Sequence, residues 1–256
     1  MRIVVKVGTS TLAYANGCLN IRAITQLCTI LSDLKNAGHE IVLVSSGAIG
    51  MGAGKLAIKG KPKSIEEKQA SAAVGQCMLM YTYDKLFSEY NHTVAQILLT
   101  GDDFAHENRH ENFQKTIKKL LEFNVLPIIN ENDTIATDEI KVGDNDRLSA
   151  LVATSIAADK LVILSDIDGL YTNDPRKDRE AKLIPVIENI TDEVMSFGKD
   201  SAGNLGTGGM KTKLLAAKIC TEAGCDMIIS NGKKPEVLYD IAGGKDTGTL
   251  FSGKKH

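Results

Sequence analysis

Short apolar runs alternate with helix-length amphipathic segments along this chain, and that alternation limits the fold more than any other feature. The runs cover residues 4–7, 40–45, 93–99, 125–130, 160–165 and 226–230. They lack the polar alternation of a half-exposed strand, so both faces of each predicted strand should be buried. Such strands, separated by helices, predict a three-layer α/β/α sandwich with a mainly parallel central sheet.

Five amphipathic segments predict helices at residues 21–37, 65–90, 112–123, 147–158 and 209–223. Gly38 is placed to end the first helix, and Ser64 with Glu67 forms a capping box ahead of the second. The sequence has no internal repeat, low-complexity tract or Pro/Ser-rich linker. We therefore expect one domain over residues 1–256, made of two ligand-binding lobes that meet near Ala158.

Composition excludes several classes of function. A hydrophobic content of 43% with 24% charged residues is typical of a folded globular protein. The formal charge of −2 lacks the basic balance of a nucleic-acid-binding protein. Five cysteines without a Cys-x-x-Cys pair favour reduced thiols. No run approaches the roughly 20 apolar residues of a membrane span, and the N-terminus lacks a signal-peptide core, so we expect a cytoplasmic protein.

Glycines and small polar residues follow the predicted strands, where ligands bind to open parallel sheets. They occur in "VGTS" at 7–10, "SSGAIGMG" at 45–52 and "SDIDG" at 165–169, and "LGTGGMKTK" at 205–213 opens the last long helix. Glycine lets backbone N–H groups approach an anion, and a helix N-terminus adds favourable partial charge. Each stretch alone fits an ordinary tight turn, but together they predict an anion site. A Walker A motif is absent, which places any phosphoryl transfer outside the P-loop plan.

Two polar stretches, "INENDTI" at 129–135 and "KVGDND" at 141–146, concentrate short amides and carboxylates. They fit either a binding site for a charged ligand or a network of Asx turns that shapes a loop. Asp146 has a second interpretation as the N-cap of the helix that begins at Arg147.

One motif suggests a metal. His106 and His110 form a His-Glu-x-x-His sequence that could bind zinc on one helix face, with Glu107 as base. Asn108 and Arg109 make this segment polar, so a solvated helix face is the preferred interpretation. We name no metal-ligating residue.

The motifs taken together resemble the amino-acid kinase family, and within it the members that phosphorylate glutamate. The segments that carry the resemblance are "VVKVGTS", "SSGAIGMG", "INENDTI", "KVGDNDRLSA", "LSDIDGLYTNDPR" and "GTGGMKTKLLAAK". They follow the family order and spacing across essentially the whole chain. Many such kinases carry a C-terminal PUA domain, which we expect to be absent from this chain.

The resemblance implies specific roles for residues in these motifs. Lys6 and Lys213 would flank the transferred phosphoryl group, and Asp146 would hold the two lysines in position. Residues 1–158 would form the glutamate-binding lobe, with contacts from Ser46, Gly47, Asp133 and Asn145. Residues 159–256 would form the ATP-binding lobe. The implied ATP contacts are Lys6, Gly8, Ser165, Asp166, Thr207, Gly208, Gly209, Met210, Lys211, Thr212 and Lys213.

The same resemblance implies a reaction and its partners. ATP with Mg2+ would phosphorylate the γ-carboxylate of L-glutamate in the first step of proline biosynthesis. Proline would be a feedback inhibitor, the assembly a homo-oligomer (dimer or tetramer), and a glutamate-5-semialdehyde dehydrogenase the recipient of the product. The alternatives are a sister kinase acting on N-acetylglutamate, aspartate, carbamate or UMP, and a non-catalytic amino-acid sensor.

Overall fold

The computed structural model describes residues 1–14, 18–136, 145–198, 209–245 and 247–253, which form an eight-stranded sheet covered by helices. The strands are β1 (Arg2–Val7), β2 (Glu40–Ser45), β3 (Val94–Leu99), β4 (Leu126–Glu131), β5 (Lys160–Ser165), β6 (Val186–Ile187), β7 (Asp226–Asn231) and β8 (Thr249–Phe251). Their spatial order is β3-β4-β2-β1-β5-β7-β8-β6. The six strands from β3 to β7 in this order run parallel, and β8 pairs with β7 in the antiparallel sense.

Ten helices connect the strands in the described part of the chain. They are α1 (Thr9–Leu12), α2 (Ile21–Asn36), α3 (Ala48–Lys55), α4 (Ile65–Ser88), α5 (Gly101–Ala105), α6 (Glu107–Glu122), α7 (Asp146–Ser155), α8 (Asp192–Ser196), α9 (Met210–Glu222) and α10 (Val237–Ala242).

Two hydrophobic cores lie on opposite faces of the sheet, because successive side chains of a strand point to opposite faces. In β1, Val4 belongs to the core that contains residues of α6, α7 and α9. Its neighbours Ile3 and Val5 belong to the core that contains residues of α2, α4 and α10. The predicted three-layer α/β/α sandwich with a mainly parallel sheet is therefore confirmed.

Local signals that the sequence predicted are present at the helix ends. Ser64 accepts a hydrogen bond from the Glu67 backbone N–H at 3.1 Å, and the Glu67 carboxylate completes the capping box ahead of α4. Gly38 has φ +89°, which glycine adopts without steric cost after the end of α2. Both capping predictions are confirmed.

Other element boundaries differ from those predicted. The glycine-rich stretch after β2 is not wholly a loop, because it becomes helix α3 from Ala48 onward. Helix α6 begins at Glu107 rather than at residue 112, so the polar His-Glu-x-x-His segment is part of its first turns. The predicted helix over 147–158 ends earlier, at Ser155. The short strands β6 and β8 and the short helices were not predicted.

Among the described residues, no helix combines the length and the apolar character needed to cross a bilayer.

Candidate active site

The parallel strands bring the predicted site residues to one edge of the sheet. Val7 at the end of β1 is level with Ser45 of β2 and Leu164 of β5, and Ser165 is level with Asn231 of β7. Gly8, Ser46, Gly47, Asp133 and Asp166 follow directly beyond the carboxyl ends of their strands. This is the edge at which open parallel sheets bind ligands.

Lys6 is a buried lysine in the central strand. It shares a strand face with Val4, whose core also contains Leu148 of α7 and Leu214 of α9. Its side chain is therefore directed toward the face that these two helices cover. Only 5% of the residue is exposed, so its ammonium group requires a partner within the protein.

Asp146 provides that partner and joins Lys6 to Lys213. Its Oδ1 lies 2.6 Å from Lys6 Nζ, and its Oδ2 lies 3.0 Å from Lys213 Nζ. Asp146 is the first residue of α7 and has no exposed surface, while Lys213 in the first turn of α9 is 6% exposed. Asp146 thus holds two ammonium groups close together, and paired lysines suit an anionic ligand.

The helix-capping alternative for Asp146 is wrong. The N-cap of α7 is Asn145, and Asp146 is the first residue inside the helix. The carboxylate of Asp146 instead forms ion pairs with Lys6 and Lys213. Thr212 Oγ1 lies 3.0 Å from Asp146 Oδ2. The same hydroxyl lies 2.7 Å from the Gly209 carbonyl oxygen.

The start of α9 adds backbone donors to this region. Gly209 is the N-cap of α9, and a glycine has no side chain with which to cap the helix. The N–H groups of the first turn, which includes Met210, Lys211 and Thr212, have no partner inside the helix, so they favour an anion. Thr207 and Gly208, the other two predicted residues of this segment, lie outside the described residues.

A second cluster surrounds Asn145. Its Nδ2 lies 2.8 Å from the Ser45 carbonyl oxygen, 2.7 Å from Asn130 Oδ1 and 3.1 Å from Ser46 Oγ. Gly47 beside Ser46 has φ +103°, a backbone conformation that residues with a Cβ rarely adopt. The cluster therefore joins the end of β2, the end of β4 and the start of α7.

Asp133 lies in the turn that follows β4. The turn is held by the Asn132 N–H, which donates to the Leu99 carbonyl at 2.7 Å, and by the Ala136 N–H, which donates to the Asn132 carbonyl at 2.9 Å. Asp133 is half-buried. Residues 137–144 of the second polar stretch lie outside the described residues.

Ser165 and Asp166 lie at the end of β5, on the other side of β1. Ser165 is buried and its hydroxyl lies 3.3 Å from Asp166 Oδ1, whereas Asp166 is exposed. The Ser165 carbonyl accepts a hydrogen bond from the Gly232 N–H at 2.7 Å. These two predicted residues lie on the β5 side of Lys6, and the Asn145 cluster lies on the β2 side.

Sequence reasoning gave no role to some polar residues that the structure places at the site. Gln76 on α4 is 8% exposed and its Oε1 accepts from Asn130 Nδ2 at 2.9 Å. Asn231 at the end of β7 donates through Nδ2 to Asp168 Oδ1 at 2.7 Å. Two sequence signals could have indicated these residues. Asn231 is an asparagine at the carboxyl end of an apolar strand, and Gln76 is a glutamine on the buried face of a predicted helix.

The two histidines of the His-Glu-x-x-His segment have partners within the protein. His106 Nδ1 lies 2.7 Å from the Asp102 carbonyl oxygen, and His110 Nε2 lies 2.7 Å from Ser155 Oγ. His106 is the N-cap residue of α6, one position before its first turn. Within the described ranges, no group of three or more His, Cys, Asp or Glu side chains could hold a metal ion.

A mainly parallel α/β/α sheet with two lysines held by one aspartate near its carboxyl edge fits a class of small-molecule phosphotransferases. The chain belongs to the amino acid kinase family, whose family model matches residues 1–231. It is 53% identical over 258 residues to the glutamate 5-kinase of Clostridium perfringens, covering 99% of this chain and 96% of that protein. It is also 53% identical to the glutamate 5-kinase of Thermoanaerobacter pseudethanolicus, covering 98% of this chain and 68% of that protein.

Solved structures show the same fold at much lower sequence identity. Carbamate kinase from Giardia lamblia bound to AMP-PNP matches with a TM-score of 0.68 at 17% identity, covering 99% of this chain and 98% of that one. UMP kinase from Bacillus anthracis matches with a TM-score of 0.65 at 17% identity, covering 99% and 96% of the two chains. These matches confirm the fold class.

Proposed function

We propose that this chain transfers the γ-phosphoryl group of ATP to the γ-carboxylate of L-glutamate, forming γ-glutamyl phosphate and ADP. The observation that carries the proposal is the pair of buried lysines, Lys6 and Lys213, held on the two oxygens of Asp146. The glutamate 5-kinases that are about half identical to this chain support glutamate as the substrate.

The chemistry of the reaction explains why lysines are needed. A glutamate γ-carboxylate is already ionised at neutral pH, so its attacking oxygen requires no general base. Two anions must instead approach each other while charge spreads over the transferred phosphoryl oxygens. Lys6 and Lys213 place fixed positive charge there, and Asp146 keeps the two ammonium groups in position before the substrates bind.

We assign ATP to residues 159–256, with phosphate contacts from the start of α9 and from Gly8. The first turn of α9, which follows the N-cap Gly209, supports this assignment, because its N–H groups suit phosphate oxygens. Ser165 and Asp166 would lie beside the nucleotide. Mg2+ would be held mainly by the nucleotide phosphates and water, and would neutralise the developing charge.

We assign glutamate to residues 1–158, with contacts from Ser46, Gly47, Asp133 and Asn145. The cluster between β2, β4 and α7 supports this assignment, because it lies beside Lys6 on the opposite side from β5. Asp133 supplies a carboxylate for the substrate ammonium. Proline carries the same α-carboxylate and a charged amine, so we extend the assignment to proline as a feedback inhibitor.

The proposed reaction also places the protein in a sequence of reactions. The product is a reactive acyl phosphate, so a dehydrogenase that reduces it must follow in proline biosynthesis. We further propose a homo-oligomer, either a dimer or a tetramer, that works in the cytoplasm, where its five cysteines stay reduced.

An ADP-release assay tests the function against its alternatives. The purified protein with Mg-ATP should release ADP with glutamate and much less with N-acetylglutamate, aspartate, carbamate or UMP. Hydroxylamine should trap the product as γ-glutamyl hydroxamate, which identifies the phosphorylated carboxyl group. Release of ADP only with another of these substrates would establish a sister kinase, and no release with any of them would favour a sensor.

A further inference from the structure

A buried pair of hydroxyl groups lies behind the loop that connects β2 to α3. Tyr83 on α4 has no exposed surface and belongs to the core that contains residues of α2 and α10. Its hydroxyl oxygen lies 2.8 Å from Oγ of Ser45, the last residue of β2, which has no exposed surface either. A hydroxyl among apolar side chains needs a hydrogen-bond partner, and this pair gives Tyr83 one. Tyr83 is therefore connected to the strand end that leads into Ser46 and Gly47.

The direction of the hydrogen bond between the two hydroxyls follows from a third group. Ser45 Oγ donates to the Ser46 carbonyl oxygen at 3.2 Å, and a carbonyl oxygen can only accept. A serine hydroxyl carries one hydrogen, so the hydrogen between Ser45 and Tyr83 must come from Tyr83. Burial raises the pKa of the Tyr83 hydroxyl, which therefore keeps this hydrogen at neutral pH. The chain of donors runs from Tyr83 through Ser45 to the Ser46 carbonyl.

This chain of donors determines how the peptide group between Ser46 and Gly47 is turned. The C=O and N–H of a trans peptide point in opposite directions, and the described residues contain no cis peptide bond. Because the Ser46 C=O is turned toward Ser45 Oγ, the Gly47 N–H is turned away from it. In the described part of the chain, a Cβ added to Gly47 would meet no atom within 4 Å apart from its chain neighbours. Gly47 therefore borders open space.

Glycine alone does not hold the peptide in this orientation. Gly47 has φ +103°, but glycine adopts positive and negative φ about equally well. Rotation of the peptide group would exchange the directions of the Ser46 C=O and the Gly47 N–H. A carbonyl oxygen would then face a bound carboxylate where a donor is needed. The two buried hydroxyls oppose this rotation, because it would break the bond from Ser45 Oγ to the Ser46 carbonyl.

We propose that Tyr83 is a positioning residue that acts through Ser45 to keep the Gly47 N–H directed at a carboxylate oxygen of glutamate. This inference rests on the proposed function, in which Ser46 and Gly47 contact glutamate. An N–H group only donates, and both carboxylates of glutamate only accept at neutral pH. Tyr83 thus raises the affinity for glutamate without touching it.

Removal of one hydroxyl tests this role. Tyr83→Phe keeps the aromatic ring that stacks on Phe87, so the core should stay packed, which circular dichroism checks. The KM for glutamate should rise about three- to tenfold, as expected for the loss of one hydrogen bond, while kcat and the KM for ATP stay within about twofold. Steady-state ADP release with each substrate varied in turn provides the measurement.

Tyr90→Phe is the matched control. Its hydroxyl also lies 2.8 Å from a side-chain hydroxyl, that of Thr29, but Tyr90 is exposed and precedes the amino end of β3, at the opposite edge of the sheet from the site. This substitution removes a hydrogen bond of the same kind. The KM for glutamate in Tyr90→Phe should stay within about twofold of wild type.

A double-mutant cycle tests whether Tyr83 acts through Ser45. Ser45→Ala removes the hydroxyl that links Tyr83 to the Ser46 carbonyl, so the KM for glutamate should rise about tenfold. Adding Tyr83→Phe to Ser45→Ala should change this KM by less than about twofold, because the link is already broken.

The possible results separate this inference from the proposed function. Absence of ADP release by wild type with glutamate would overturn the proposed function, and this inference with it. In an active wild type, an unchanged KM for glutamate in Tyr83→Phe, or an equal rise in Tyr90→Phe, would overturn the inference alone. Effects of Tyr83→Phe and Ser45→Ala that multiply would show that Tyr83 acts independently of Ser45, which also overturns it. A fall in kcat with an unchanged KM for glutamate would do the same, since the peptide would then serve the transferred phosphoryl group.

Discussion

Asp146 is a buried carboxylate whose charge must be balanced within the protein. It has no exposed surface and pairs with two lysines from β1 and α9. Removing one partner from a buried pair costs about 3–5 kcal/mol, because it leaves charge without compensation. Asp146 pairs with both lysines, so the loss of either lysine leaves the carboxylate paired with the other. The lysines can therefore be removed singly without leaving Asp146 alone.

We expect Lys213→Ala and Lys6→Ala each to lower kcat by at least ~100-fold while the fold survives, because each removes charge that stabilises the transition state. The turnover is measured by ADP release at saturating glutamate and ATP, and folding is checked by circular dichroism.

Lys218 provides the control for this pair, since it lies on the same helix as Lys213 but is exposed and pairs with Glu222 on the helix surface. Lys218→Ala should retain turnover within about twofold, as is usual for an exposed ion pair. Unchanged turnover in both Lys6→Ala and Lys213→Ala would refute the proposed catalytic site.

Asp133 is the residue at which substrate charge can be tested most directly. Asp133→Asn keeps the size of the side chain but removes the negative charge proposed to meet the ammonium. The KM for glutamate should rise at least tenfold, inhibition by proline should weaken in parallel, and the KM for ATP should stay nearly constant. Steady-state kinetics with each substrate varied in turn provide the measurement. An equal loss of apparent affinity for ATP would assign the turn a scaffolding role.

At the scale of secondary-structure elements, the sequence predicted the buried strands well because their signal is local. The boundaries predicted for β2 and β5 match the structure, and β4 differs by one residue at each end. Helix α3 was not predicted, because four of the eight residues in "GAIGMGAG" at 47–54 are glycines. Glycine disfavours a helix. Tertiary packing overrides that preference, since Gly52 of α3 and Gly75 of α4 let the two helices touch.

The residues of the candidate site were predictable where they follow a strand or open a helix. Lys6, Asp146 and Lys213 were named from motifs, and the structure brings them together. The contribution of Gln76 was not predictable, because a glutamine in a helix carries no local sign of its partner. Its contact with Asn130 spans 54 residues and depends on how α4 packs against the sheet.

The packing of α3 against α4 yields a prediction about one glycine. A Cβ at Gly75 would lie 1.8 Å from the Ala48 carbonyl oxygen and 2.6 Å from the Gly52 nitrogen. Gly75→Ala should therefore force the helices apart and lower the free energy of unfolding by about 1–3 kcal/mol. Because α3 begins beside Ser46 and Gly47, the KM for glutamate should rise as well. Urea denaturation and steady-state kinetics measure the two effects.

The same substitution elsewhere in α3 is the control. A Cβ at Gly50 would meet its nearest atom, Thr9 Cγ2, at an ordinary 3.7 Å. Gly50→Ala should leave stability unchanged or raise it by about 0.4–1 kcal/mol, since alanine favours the helix. Equal stability of Gly75→Ala and Gly50→Ala would contradict the close helix contact.

At the scale of the whole molecule, the accessibility of the five cysteine thiols measures how well the two cores exclude solvent. Cys18 and Cys77 are exposed, whereas Cys28, Cys220 and Cys225 are buried. Burial raises the pKa of Cys28, and a hydrogen bond with Cys225 together with burial raises the pKa of Cys220. A raised pKa lowers the fraction of reactive thiolate at pH 8. The thiols of Cys28 and Cys220 are therefore protected both by their raised pKa and by their burial.

We expect two thiols to react rapidly with Ellman's reagent at pH 8 in the native protein, and the other three only in denaturant. Absorbance of the released thiol gives the count over time. Cys77→Ser should reduce the rapid count to one without changing the total in the buried class. Rapid reaction of four or five thiols in the native protein would show that the cores open far more readily than their packing implies.

The position of β1 in the sheet has a consequence for synthesis on the ribosome. It is made first, yet it lies between β2 and β5, and β5 begins at Lys160. At about 5–20 residues per second, roughly ten to thirty seconds separate the emergence of β1 from that of its second neighbour. During that interval a largely apolar strand keeps one edge unpaired, and such an edge can pair with another nascent chain. We therefore expect the growing polypeptide to need protection by chaperones before residues 160–253 complete the sheet.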